Sequence, residues 1–122
     1  MITTAIIGFG KMGQIRATAI EKVDQAQIKN VFDPNVPDLE SKYSVAKSYE
    51  EILVDSEIDA VFLCLANYLN KEYAIKALEA GKHVFCEKPP AFNASEVEEI
   101  IVAEKKSGKK LSSAANNNPL AG

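Results

Sequence analysis

The sequence predicts an α/β protein, a doubly wound parallel sheet of about six strands in the order 3-2-1-4-5-6. Three observations predict it. Short apolar runs alternate with stretches of helical periodicity through the 122 residues. The first apolar run stops at a glycine turn, Gly8-Phe9-Gly10-Lys11-Met12-Gly13, and a helical pattern follows at once. Crossovers between parallel strands are right-handed, so a chain of this kind winds outward from a central first strand in two directions.

Each element can be justified in turn. Strand one covers about Thr3 to Gly8. Helix one runs from near Lys11 to about Asp24, with Met12, Ile15, Ala19, Ile20 and Val23 as its expected inner face. Strand two, Gln27 to Phe32, is ended by Asp33-Pro34-Asn35, because Pro34 has no N–H to give a ladder. The stretch from Val36 to Tyr43 has room for a short helix, Asp38 to Lys42, before a brief third strand, Ser44 to Lys47. Ser48 with Glu51 forms a capping box, so a helix starts there and ends near Asp55. Asp59 to Leu65 is apolar enough to be buried on both faces, as a central parallel strand is. A helix from about Asn70 to Ala80 stops at Gly81, and His83 to Cys86 is strand five. Asn93 caps a helix that carries Val97, Ile100, Ile101 and Glu104 and ends at Gly108; Leu111 to Ala115 is strand six.

Composition narrows the setting. With 47% apolar and 25% charged residues, the chain has the make-up of one ordinary globular domain. No run approaches the roughly 18 apolar residues of a membrane span, and Ile2 to Ile7 reads as strand rather than leader. A cytoplasmic protein is expected, without membrane partners. A net charge of −3 gives no broad attraction for nucleic acid. The basic cluster Lys105 to Lys110 falls where a helix ends, and there the dipole favours cations. Cys64 and Cys86 lie in strand-like runs as free thiols, and His83 opens a strand; no group has metal-ligand spacing, so no metal site is expected.

The glycine turn carries the functional signal. Gly8 permits the tight turn out of the strand, Gly10 lets bare backbone approach a pyrophosphate, and Gly13 lets the helix pack close to the sheet. Lys11 and Met12 open a helix whose N-terminal N–H groups and partial positive charge suit phosphates. Asp33 arrives roughly 20 residues later at the end of the second strand, on schedule for an adenosine ribose. Its carboxylate accepts from ribose hydroxyls and repels a 2′-phosphate, and no arginine follows it, so NAD is favoured over NADP. The bland alternatives are glycines that serve packing only and an aspartate that caps a turn. In a doubly wound sheet the ligand crevice lies where strand order reverses, between Gly8–Gly13 and the loop of Leu65, Ala66 and Asn67.

A longer pattern narrows this further. Ala77-Leu78-Glu79-Ala80-Gly81-Lys82-His83-Val84 is followed by Glu87-Lys88-Pro89. With the opening glycine turn and Asp59-Ala60-Val61-Phe62-Leu63 leading to Asn67, the chain resembles the glucose–fructose oxidoreductase, inositol dehydrogenase and MocA (Gfo/Idh/MocA) family over nearly its whole length. The resemblance implies a Rossmann domain that binds a nicotinamide dinucleotide, partnered in the family by a second α/β domain that supplies the substrate pocket. It implies hydride exchange with a sugar or polyol carbon. It places Glu87 and Lys88 beside the cofactor, with Lys88 the catalytic group near the nicotinamide and the reacting hydroxyl.

The chain departs from the family pattern in two places. Ala66 and Asn70 stand where the family often has proline and histidine, although Asn67 is retained, and Asn116-Asn117-Asn118-Pro119 lacks an arginine often found there. The chain also stops at Gly122, where the family continues into its second domain. Residues 1–122 are therefore expected to be the NAD(P)-binding domain alone, inactive by itself, with self-association as a homo-oligomer open to it. A freestanding, non-catalytic dinucleotide-binding module is the alternative.

Overall fold

The computed structural model describes residues 1–65, 67–86, 94–109 and 111–113. The elements alternate: β1 (Ile2–Ile7), α1 (Lys11–Glu21), β2 (Ala26–Phe32), β3 (Ser44–Val45), α2 (Tyr49–Leu53), β4 (Ala60–Leu63), α3 (Asn67–Glu79), β5 (His83–Cys86), α4 (Ala94–Ser107) and β6 (Leu111–Ser113). All pairings are parallel, and the sheet order is β3-β2-β1-β4-β5-β6, as the sequence predicts.

β1 lies at the centre because Ala5, Ile6 and Ile7 are apolar without interruption, and all three are fully buried. Successive residues face opposite sides of the sheet. Ala5 and Ile7 pack with Val61, Leu63, Val84 and Cys86 under Tyr49 and Ile52 of α2, Ala74, Ala77 and Leu78 of α3, and Ile100 and Ala103 of α4. Ile6 and Val31 face the other way, onto Ala17 and Ile20 of α1. Burying each large aliphatic side chain contributes roughly 1.5–3 kcal/mol, so these two layers hold the fold.

Polar stitching fixes the N-terminal ends of the strands. The Asp59 N–H donates to the Thr3 carbonyl, the Thr3 N–H donates to Asp59 Oδ2 at 2.9 Å, and the His83 N–H donates to the Asp59 carbonyl. One residue thus ties β1, β4 and β5 together. Close by, Lys82 is 4% exposed; its Nζ donates to the carbonyls of Asp55 at 2.5 Å and Ile58 at 2.7 Å. Desolvation lowers its pKa against the pull of Asp55 and Asp59.

The expected inner face of α1 is corrected. Of that face Ile20 is buried as expected, but Met12, Ile15, Ala19 and Val23 are exposed, and Gly13 and Ala17 are buried in their stead. The rotation of the helix is set by Gly13, which must meet the turn, so the positions four and seven residues on follow it inward. Ala19 and Val23 then flank a groove beside Ala60, Phe62 and Phe85, and the guanidinium of Arg16 lies 4.8 Å above the Phe85 ring. Residues 38–42 form no helix, and α3 begins at Asn67, three residues before its expected start. Ser48 caps α2 as expected, accepting from the Glu51 N–H at 3.2 Å, but Glu51 reaches back to the Lys47 N–H and not to that of Ser48. The expected cap at Asn93 and the end of the sixth strand at Ala115 lie outside the described residues.

Candidate functional site

The site is built from the turn between β1 and α1. Gly8 is buried with φ +89°, a conformation that side chains rarely adopt, and a Cβ there would stand 2.6 Å from the Cys64 carbonyl oxygen. The turn is thus pressed onto the C-terminal end of β4, and Leu65 is the next contact, at 3.0 Å. A Cβ on Gly13 would meet the Gly8 carbonyl oxygen at 2.1 Å. Gly10 differs from both. It is exposed, and a Cβ there would meet nothing within 4 Å.

Gly10 is also the N-cap of α1. No side chain caps this helix end and no acidic residue occupies its first turn. The N–H groups of that turn and the positive end of the helix dipole therefore face the open space over Gly10. Lys11 and Met12, the first helical residues, are exposed beside it, Met12 at 37%.

Asp33 joins the turn from β2. Its Oδ2 accepts from the Phe9 N–H at 3.0 Å, and its Oδ1 accepts from the Asn35 N–H at 2.9 Å. Asp33 thus caps the turn, and each of its oxygens keeps a further lone pair for an outside donor. Phe9 packs its ring edge-on against Tyr43, with centroids 6.2 Å apart and planes at 88°. The structure therefore brings together Gly8, Phe9, Gly10, Gly13, Asp33 and Leu65, and Asn67 opens α3 immediately beyond. Ala66, Glu87 and Lys88 lie outside the described residues.

Sequence reasoning missed two contributors. The Cys64 carbonyl is the surface against which Gly8 turns, and no side-chain signal marks it. Tyr43 backs Phe9 from the far end of the β2–β3 connection, and its sequence neighbours, Lys42 and Ser44, look no different from those of any loop tyrosine. At the end of β5, Cys86 is fully buried, and desolvation pushes its thiol up to about 12. Cys64 is half-buried. Among the described residues no cluster of metal-ligating groups occurs, and no helix is long and apolar enough to cross a membrane.

A parallel sheet with order reversal at β1 and β4, a glycine turn at that point and an acid at the end of β2 define a Rossmann domain of the dinucleotide-binding class. Residues 2–115 match the Gfo/Idh/MocA oxidoreductase family, NAD-binding Rossmann fold, and the chain belongs to that family. It is 34% identical to the myo-inositol 2-dehydrogenase of Thermotoga maritima over 107 residues, covering 83% of this chain and 32% of that protein. A solved NAD-binding protein from Listeria innocua superposes with a TM-score of 0.85 at 32% identity, over 96% of this chain and 36% of the other. The D-galactose-1-dehydrogenase of Rhizobium etli gives a TM-score of 0.79 at 33% identity, over 90% and 36%. The chain spans about a third of the length of the curated relatives it matches.

Proposed function

We propose that this chain is the dinucleotide-binding part of an oxidoreductase that moves a hydride between a nicotinamide ring and a sugar or polyol carbon. The observation that carries the reading is the room over Gly10. Gly8 and Gly13 are locked against backbone, whereas Gly10 leaves a cradle at an uncapped helix N-terminus that a side chain would fill. That is the donor set and shape a pyrophosphate needs. Asp33 stands next to it, ready to accept from ribose hydroxyls and repelling a 2′-phosphate, so NAD is the preferred form. The loop of Leu65, Ala66 and Asn67 is our candidate for the opposite lip of the crevice.

The nicotinamide ring supplies the hydride acceptor for alcohol oxidation. The hydroxyl proton must leave as the hydride does, and Lys88, with Glu87 beside it, is our candidate to hold and relay it. The inositol and galactose dehydrogenases among the similar proteins favour a polyhydroxylated substrate. The pocket for that substrate is assigned to polypeptide that the relatives carry beyond the third of their length matched here.

Calorimetric titration of the 122-residue chain with NAD and with NADP tests the reading. Saturable binding of NAD, tighter than that of NADP, is expected; binding of neither would overturn it. Joined to a relative's substrate domain, a Lys88→Met variant should lose roughly 10²–10⁴-fold in turnover with little change in NAD affinity. The 122-residue chain alone should not turn over polyols, because the substrate pocket is assigned to polypeptide beyond the matched third of the relatives.

A further inference from the structure

The β2–β3 connection closes on Phe9 from both of its ends. At its start, Asp33 Oδ2 accepts the Phe9 N–H. At its finish, the Tyr43 ring stands edge-on to the Phe9 ring, in a cluster with Leu39, Ile6 and Val31. Aromatic pairs in this geometry are worth more than their buried area alone. The segment before β3 is anchored again where Lys42 pairs with Glu21 at the end of α1, at 2.9 Å. The buried Tyr43 hydroxyl oxygen lies against this Glu21–Lys42 pair, and burial together with Glu21 raises its pKa. The contact with Phe9 is made by the Tyr43 ring alone.

Resting on the dinucleotide reading above, we propose that Tyr43 is a positioning residue for nucleotide discrimination, holding Phe9 so that the Phe9 N–H fixes the carboxylate of Asp33 toward the ribose. A carboxylate fixed in place accepts from the 2′- and 3′-hydroxyls without first being ordered, and it cannot swing aside for a 2′-phosphate. Loosening the ring pair should therefore weaken NAD binding and ease the rejection of NADP at the same time. A residue that only stabilised the fold would weaken both ligands alike.

The experiment measures Kd for NAD and for NADP in the 122-residue chain and in Tyr43→Leu, Tyr43→Phe, Asp33→Ala and the Asp33→Ala/Tyr43→Leu double variant, with a thermal melt of each to confirm folding. Tyr43→Leu should weaken NAD roughly two- to tenfold and leave NADP unchanged or tighter, compressing the ratio. Tyr43→Phe keeps the ring and should keep the parent ratio of NAD to NADP affinity, whatever the lost hydroxyl does to the melt. In the Asp33→Ala background Tyr43→Leu should have no further effect on the ratio. Equal weakening of both dinucleotides, an unchanged ratio, or a shift that persists without Asp33 would overturn the proposal. If Tyr43→Leu does not fold, Phe9→Leu removes the other ring of the pair and must compress the ratio in its place. A parent chain that binds neither dinucleotide, or prefers NADP, would remove the underlying reading as well; a parent chain that prefers NAD with an unmoved ratio would remove only the role of Tyr43.

Discussion

Gly13 rests directly on the carbonyl of Gly8: a methyl group on Gly13 would stand 2.1 Å from that oxygen, closer than any real contact. The start of α1 is thereby fixed against the end of β1. The same addition at Gly10 meets open space. Gly10→Val is accordingly expected to melt within a few degrees of the parent chain, yet to bind NAD at least tenfold more weakly, because its side chain occupies the pyrophosphate cradle. Gly13→Ala should do the reverse first, lowering the melting temperature sharply. Circular dichroism melts beside calorimetric titrations separate the two, and parallel losses in both variants would contradict the division.

Asp33 is expected to affect both binding and fold. In Asp33→Ala the amides of Phe9 and Asn35 lose their acceptor, and such losses cost about 1 kcal/mol each where solvent does not replace them. Urea unfolding should show a drop of that order, together with loss of the preference for NAD over NADP. A variant with unchanged stability would mean that the two hydrogen bonds contribute nothing.

Lys82 offers the opposite separation. Lys82→Met keeps most of the stem but leaves the carbonyls of Asp55 and Ile58 without their buried donor, a loss of about 1–3 kcal/mol. The residue sits at the N-terminal ends of the strands, away from the glycine turn. Stability should fall and NAD affinity should not, and a shift in Kd comparable with the shift in stability would refute that placement.

The two thiols should react in order. Iodoacetamide at pH 8 is expected to reach half-buried Cys64 first, and Cys86 only on unfolding, by peptide mass mapping. The folded chain holds the Cys86 proton up to about 12, whereas the unfolded chain releases it near 9. The stabilisation is therefore complete below pH 9 and is lost as pH rises from there toward 12, by about 1.4 kcal/mol per unit at most. A urea midpoint that falls as steeply in Cys86→Ala as in the parent between pH 9 and 10 would assign the loss to other groups.

Local signals proved sufficient for some features and not for others. The glycine turn, the Ser48 cap and the stop at Gly81 are each decided by a few adjacent residues, and the structure places them where the sequence does. The strand order followed because handedness and crossover length leave few alternatives. The face of α1 was not legible. Met12, Ile15, Ala19 and Val23 have the right spacing for a core, but the contact of Gly13 with Gly8 sets the rotation of the helix, and that contact joins two elements. Burial of Lys82 was equally hidden, since its acceptors are main-chain carbonyls with no mark in the sequence. Phe9 and Tyr43 lie at opposite ends of two connections, so only the assembled sheet makes them neighbours.

The stitch at Asp59 also bears on how the chain is made. β1 leaves the ribosome before the other strands of this sheet, and with β4 it forms the middle of the finished sheet. β2 can pair with one of its edges early, but the other edge stays open until β4 emerges, and the Thr3 amide waits for a partner 56 residues away. At synthesis rates of roughly 5–20 residues per second, the bare edge of an apolar strand is on offer for a few seconds in every nascent chain. The central position that buries Ala5, Ile6 and Ile7 in the finished protein leaves them open to wrong pairing during translation.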